Sequence, residues 1–139
     1  MKIYFAASIR GGRADMNLYR KVIRYLGTFG DVLTEHVGDS SLAVEDGLTD
    51  QQIHARDMDW LLSCDRMVAE VTTPSLGVGY EIGRAIERGK PVLCLFRLQE
   101  GKKLSAMIAG SADLTLCNYS KLAEAKAVIY AFFNEHSVK

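Results

Sequence analysis

A carboxylate stands where a phosphate cradle would hold its ligand. The stretch TTPSLGVGYEIGRA, Thr72–Ala85, reads as a strand leaving a sheet, a glycine-rich turn and the opening of a helix, yet Glu81 lies inside it. The plain reading is an acid near a helix N-terminus, complementing the macrodipole for about 0.3–1 kcal/mol. The glycines run G-x-G-x-x-x-G (Gly77, Gly79, Gly83), one residue off the dinucleotide fingerprint, so a nicotinamide cofactor has little support. A second acid changes the weighing. In TDQQIHARDMDWLLSC the apolar stripe is Ile53, Trp60, Leu61 and Cys64; Asp57 falls in its middle, and Asp59 on the opposite, solvated face. A carboxylate aimed at a core must be hydrogen-bonded, paired or functional.

Two carboxylates sharing a cleft suit cleavage of a glycosidic bond. One, left ionised, attacks the anomeric carbon, while the other, its pKa raised by burial, protonates the leaving group. A separation of about 5–5.5 Å goes with a covalent intermediate, and a clearly longer one with direct attack by water. Two loops could hold an anion nearby. SIRGGR, Ser8–Arg13, offers the Ser8 hydroxyl, backbone N–H groups around Gly11 and Gly12, and a guanidinium at Arg10 or Arg13. PSLGVG adds the Ser75 hydroxyl and the N–H groups that open a helix. The other reading of the first loop is a plain strand-to-helix turn.

The elements that must position these groups alternate along the chain. KIYFAA (Lys2–Ala7), DVLTEH (Asp31–His36), RMVAEVT (Arg66–Thr72), PVLCLFR (Pro91–Arg97) and DLTLCNY (Asp113–Tyr119) read as strands. The first, third and fourth are nearly continuous in apolar residues, as parallel strands covered on both faces are. Helical patterns run over about Ala14–Gly27, Thr49–Cys64 with Thr49 or Asp50 as N-cap, Val78–Arg88 stopped by Gly89-Lys90-Pro91, and Ser120–His136. The alternation predicts an α/β three-layer sandwich with a five-stranded parallel sheet, flavodoxin-like, in strand order 2-1-3-4-5. Ligands bind such sheets outside the carboxyl ends of the strands at the topological switch point, here between strands one and three. Both anion-holding loops leave from that point. Gly38–Leu48 reads as a flexible loop able to close over it.

Composition bounds the partners. A chain of 139 residues fits one domain, spanning 1–139, with a sizeable core. Its formal net charge of zero argues against polymeric DNA or RNA, which demand a basic excess. No apolar run approaches the roughly 20 residues of a membrane span. MKIYFAASIR is too quickly charged for a signal peptide, so a cytoplasmic protein is expected, or a nuclear one in a eukaryote. Cys64, Cys94 and Cys117 are scattered, without a disulfide or zinc pattern, and read as small buried apolar residues; His36, His54 and His136 show no ligand spacing. Neither metal nor cofactor is expected.

With these residues in view, the sequence resembles the 2′-deoxynucleoside 5′-phosphate N-hydrolases within the nucleoside 2-deoxyribosyltransferase family. The resemblance covers most of the chain and is carried by YFAASIRGG (Tyr4–Gly12), VLTEH (Val32–His36), IHARDMDWL (Ile53–Leu61), VAEVTTPSLGVGYEIGRA (Val68–Ala85), GKPVLCLFR (Gly89–Arg97) and LSAMIAG (Leu104–Gly110). It implies cleavage of a deoxynucleoside monophosphate to free base and deoxyribose 5-phosphate. Glu81 is then similar to the nucleophile that forms a glycosyl ester, Asp57 to the acid/base, and Tyr4 to the tyrosine that orients the nucleophile. Ser8, Ile9, Arg10, Gly12, Ser75 and Gly77 fall in the segments that hold the 5′-phosphate. Ser105 matches a serine that reaches the phosphate of the neighbouring subunit, so the resemblance implies a homodimer with shared sites.

Relatives that transfer deoxyribose between unphosphorylated nucleosides carry an aspartate where Ser75 stands and an asparagine near Ser105. An aspartate would repel a phosphate dianion, since like charges about 4 Å apart cost about 1 kcal/mol even in water; a serine hydroxyl donates to it. The two serines favour monophosphates and hydrolysis. The alternatives are a deoxyribosyltransferase and a nucleotide-binding module without turnover; a phosphorelay receiver is discarded because LCNYS lacks the lysine it needs. Ala7, where a glycine is often found, narrows the first loop, and the variable Gly38–Leu48 segment leaves base preference open.

Overall fold

The computed structural model describes residues 1–9, 13–34 and 47–135. Along the chain run β1 (Lys2–Ala7), α1 (Arg13–Leu26), β2 (Asp31–Val32), α2 (Asp50–Ser63), β3 (Arg66–Glu70) and α3 (Leu76–Glu87). Then follow β4 (Val92–Arg97), α4 (Ala106–Ala109), β5 (Thr115–Tyr119) and α5 (Leu122–Glu135). All the strands pair in parallel, in the order β2-β1-β3-β4-β5. The order and the three layers are those the strand–helix alternation predicts.

The pleat sorts side chains to two cores. Ile3, Phe5, Val68, Leu93 and Leu95 face α1 and α5 and pack with Tyr19, Leu26, Ile129 and Phe132. Tyr4, Ala6, Met67, Ala69 and Cys94 face α2 and α3 and pack with Met58, Leu61, Val78 and Ile82. β1, β3 and β4 are buried on both faces, which is why they read as continuous apolar runs.

Strand two is shorter than its sequence pattern. Pairing continues past Val32 only through Leu33, whose N–H donates to the Ile3 carbonyl at 2.9 Å. The Thr34 hydroxyl then takes over the ladder, accepting from Phe5 N at 2.8 Å and donating to Phe5 O at 2.6 Å. Glu35 and His36, the rest of the expected strand, lie outside the described residues.

The helix boundaries have local causes. Thr49 caps α2 through a capping box with Gln52. Ser75 caps α3, accepting from Val78 N at 3.3 Å, and Gly89 follows the helix at φ +71°, a conformation that favours glycine. α2 departs from its expected stripe in one respect. Met58 is buried beside Leu61 and Cys64, whereas Trp60 and Ile53 are only half-buried. Cys117, expected in the interior, is half-buried at the edge strand β5. The four-residue α4 carries no periodic pattern that its sequence could announce.

Candidate active site

The site lies at the carboxyl edge of the sheet, where β1 and β3 separate toward opposite crossovers. Tyr4 enters from β1, facing α3 and 1% exposed. Its phenol donates to the Glu81 carboxylate on α3. Burial, then the charge of Glu81, raises the Tyr4 pKa far above its ordinary value, so it stays a donor at any physiological pH.

Glu81 lies on the second turn of α3, half-buried above the sheet. Its pKa is raised to about 7: burial pushes it up, the Tyr4 hydrogen bond pulls it back, and the nearby charge of Asp57 pushes it up again. Asp57 reaches the same place from α2. Glu81 and Asp57 line one cavity of about 220 Å³, together with Ile53, His54, Gly77 and Tyr80. Spacing within α2 brings Asp57 toward α3, one turn beyond Ile53; Asp59 is exposed on the far side.

Asp57 is half-buried and paired. The Arg56 guanidinium reaches its Oδ1 with Nε and Nη2, each at 3.0 Å, and lies over the Trp60 ring, 4.9 Å from the centroid. That partner was not anticipated, because adjacent residues on a helix do not face one another and only the long arginine stem closes the gap. The expectation for a carboxylate pair puts the raised pKa on the acid; here burial raises Glu81, the residue resembling the nucleophile.

The outer wall of this cavity carries a cluster that sequence reasoning passed over. His54 Nε2 is 2.8 Å from the Tyr80 hydroxyl, which also accepts from Arg84 Nη1 at 2.6 Å. The i, i+4 spacing of Tyr80 and Arg84 on α3 was its available signal.

The expected anion-holding residues fall in several places. Ser8 is buried at the end of β1 and Ile9 is exposed beyond it. Arg10, Gly11 and Gly12, like most of the Gly38–Leu48 segment, lie outside the described residues. Gly77 lines the cavity with Glu81 and Asp57, whereas Ser75 lines a second cavity of about 570 Å³ on the other side of the α3 N-terminus. Ser105, the N-cap of α4, lines that second cavity too, on the same chain as Ser75. Its rim carries Leu76 and Met107, which are 95% and 83% exposed.

Backbone space at the α3 N-terminus is open. Among the described residues, a Cβ on Gly79 would meet nothing within 4 Å, and one on Gly77 only the Ser75 Oγ at 3.8 Å. Neither glycine has positive φ, so neither conformation nor packing against the described residues requires glycine here. Among the described residues no cluster of three or more His, Cys, Asp or Glu could hold a metal, and no helix is long and apolar enough to cross a membrane.

Comparison with known proteins places the chain in a family. The model of the nucleoside 2-deoxyribosyltransferase family matches residues 3–129. The chain is 52% identical over 122 residues to the 5-hydroxymethyl-dUMP N-hydrolase of Esox lucius, a match covering 84% of this chain and 83% of that one. It is 57% identical over 114 residues to the protein of the same name in Mus musculus, covering 80% and 66%. Among solved structures it is similar to the CMP N-glycosidase of Clostridium botulinum, with TM-score 0.69, 18% identity and coverage of 95% and 99%, a likeness of fold alone. The chain belongs to the nucleoside 2-deoxyribosyltransferase family.

Proposed function

We propose that the protein hydrolyses the N-glycosidic bond of 2′-deoxynucleoside 5′-monophosphates, releasing the base and 2-deoxyribose 5-phosphate by a retaining route through Glu81. One observation carries the reading: Glu81, bonded to the Tyr4 phenol, shares a single cavity with Asp57 at the switch point of the sheet. The relatives named as N-hydrolases of a deoxynucleoside monophosphate support it.

In the first step the ionised Glu81 attacks C1′ as the C1′–N bond breaks, and the base leaves with a proton from Asp57. In the second, water attacks C1′, Asp57 takes a proton back, and the Glu81 oxygen departs. One water is consumed for each base and sugar phosphate formed. Tyr4 holds the attacking carboxylate and favours its charged form, against the burial that disfavours it.

The phosphate is assigned to Ser8, Ile9, Arg10 and Gly12 of the first loop and to Ser75 and Gly77 at the α3 N-terminus. The open space over Gly77 among the described residues supports this, because bare backbone there lets an anion approach the first N–H groups of the helix. Ser75 accepts from Val78 N, which leaves its own hydroxyl proton to donate. Glu81 lies more than one turn further along α3, so ribose spans the interval between the two negative charges. The active unit is proposed to be a homodimer in which Ser105 of the partner subunit completes the phosphate site; exposed Leu76 and Met107 support it as apolar surface for a second subunit to cover.

The test is a base-release assay across deoxy- and ribonucleoside monophosphates, with 5-hydroxymethyl-dUMP among them. Base and deoxyribose 5-phosphate in equal amounts are expected, and no release from any nucleotide would reduce the protein to a binding module. Incubation of dGMP with free adenine separates water from a second base as acceptor: dAMP forming faster than deoxyribose 5-phosphate would replace hydrolysis by transfer.

A further inference from the structure

A second carboxylate is buried at the same sheet edge, on the opposite face from Glu81. Glu70 ends β3, pairs in register with Ala7 and is 1% exposed. An acid inside the run VAEV, in a strand covered on both faces, was the sequence signal for it. A buried carboxylate is costly unless its oxygens are fully hydrogen-bonded. Glu70 meets that condition in a particular way. Oε1 accepts from Thr72 N at 2.8 Å, and Oε2 accepts from the Thr72 hydroxyl at 2.9 Å and from the Tyr119 phenol on β5.

Two of these three donors belong to Thr72, the second residue after the strand ends. Glu70 therefore fixes how the chain leaves the sheet. Thr72 passes the constraint on: its hydroxyl also accepts from Arg97 N at the end of β4, at 2.8 Å. The next residue is tied as well, with Thr73 Oγ1 3.4 Å from Asp15 Oδ2, while Asp15 Oδ1 pairs with Arg97 Nη2 at 3.0 Å. Asp15 lies in the first turn of α1, just beyond the first anion-holding loop. Three residues after Thr72 comes Ser75, the cap of α3, and on that helix Glu81.

We propose that Glu70 is a positioning residue for the reaction: through Thr72 it sets the path of the Thr73–Ser75 loop, and with it the phosphate-holding start of α3. The inference rests on the function proposed above. A carboxylate serves where an apolar residue would not, because only an acceptor with two oxygens grips both the N–H and the hydroxyl of one residue. Tyr119 keeps the second oxygen aimed, and burial, then the Glu70 charge, raises its pKa so that it stays protonated.

Glu70→Gln removes a buried charge and endangers the fold, so the discriminating variant is Thr72→Val, with Thr72→Ser as its conservative rescue. Thr72→Val is expected to raise KM for a deoxynucleoside monophosphate about tenfold, the worth of a hydrogen bond to a charged group. Its kcat should change far less, and Thr72→Ser should restore KM. A purely structural Thr72 would lower the melting temperature and leave KM of the folded enzyme unchanged, which would overturn the proposal. Amide exchange of Thr73 and of Ser75–Val78 gives a reading independent of turnover. Faster exchange confined to that segment in Thr72→Val supports the brace even if wild type releases no base; unchanged exchange overturns it even if wild type is a good hydrolase.

Discussion

Two glutamates sit at the carboxyl edge of one sheet, and each accepts a hydrogen bond from a tyrosine. On the α1/α5 face, Glu70 has Tyr119 and two donors from Thr72, and it is sealed from solvent. On the α2/α3 face, Glu81 has Tyr4 alone among the described residues and opens onto a cavity. The difference lies in what replaces the water each carboxylate lost. Glu70 is sealed and has three donors; Glu81 is half-buried with one, and burial outweighs that donor to raise its pKa to about 7. On the function and the brace proposed above, the same residue type would hold a loop on one face and attack the sugar on the other.

The largest expected effect tests the reactive member. Glu81→Gln keeps the acceptor for Tyr4 but cannot attack, and kcat for base release should fall by about a thousandfold or more. Asp57→Asn should cost about a hundredfold, since a general acid/base contributes that much or more. Single-turnover assays read both losses.

Stability should move in opposite directions at the two glutamates. The folded pKa of Glu81 lies above its ordinary 4.5, so its charge adds no cost well below that value and full cost above about 7. Urea unfolding at pH 8 should find Glu81→Gln more stable than wild type by about 3 kcal/mol, the advantage fading as pH falls toward 4.5. Glu70→Gln should be less stable by about 3 kcal/mol, because it breaks a satisfied buried network. Changes of equal sign would break the comparison.

A pH profile sharpens the role of Glu81. A nucleophile must be ionised, so kcat/KM should show a limb that climbs as pH rises through about 7; an acid in that position would put a falling limb there instead. The substrate phosphate titrates near about 6. Tyr4→Phe separates the two, since loss of the phenol hydrogen bond should move the limb that belongs to Glu81 to higher pH. The smallest effect is expected at exposed Asp59, where Asn should change stability by less than about 0.5 kcal/mol and leave turnover unaltered.

Much of this arrangement could be read before any coordinates. β1, β3 and β4 were legible because burial on both faces leaves an unbroken apolar run, and the parallel order follows from their alternation with helices. A cap at Thr49 or Asp50, which the structure resolves to Thr49, and the glycine after α3 were legible because they are local. The short β2 was not, since the Thr34 hydroxyl finishes its pairing through a contact to Phe5, distant in sequence. Arg56 beside Asp57 depends on a rotamer, and the three donors around Glu70 depend on β5 packing against β4. Helical spacing brought Asp57 and Glu81 to neighbouring elements; the burial that raises the Glu81 pKa is a tertiary property that no spacing contains.

Trapping the proposed covalent intermediate tests the central claim most directly. Incubation with a slow 2′-fluoro deoxynucleoside monophosphate analogue, followed by peptide mass spectrometry, should find one sugar-phosphate adduct, on the peptide containing Glu81 and absent from Glu81→Gln. Turnover of the analogue with no adduct, yielding product of inverted anomeric configuration, would contradict the account.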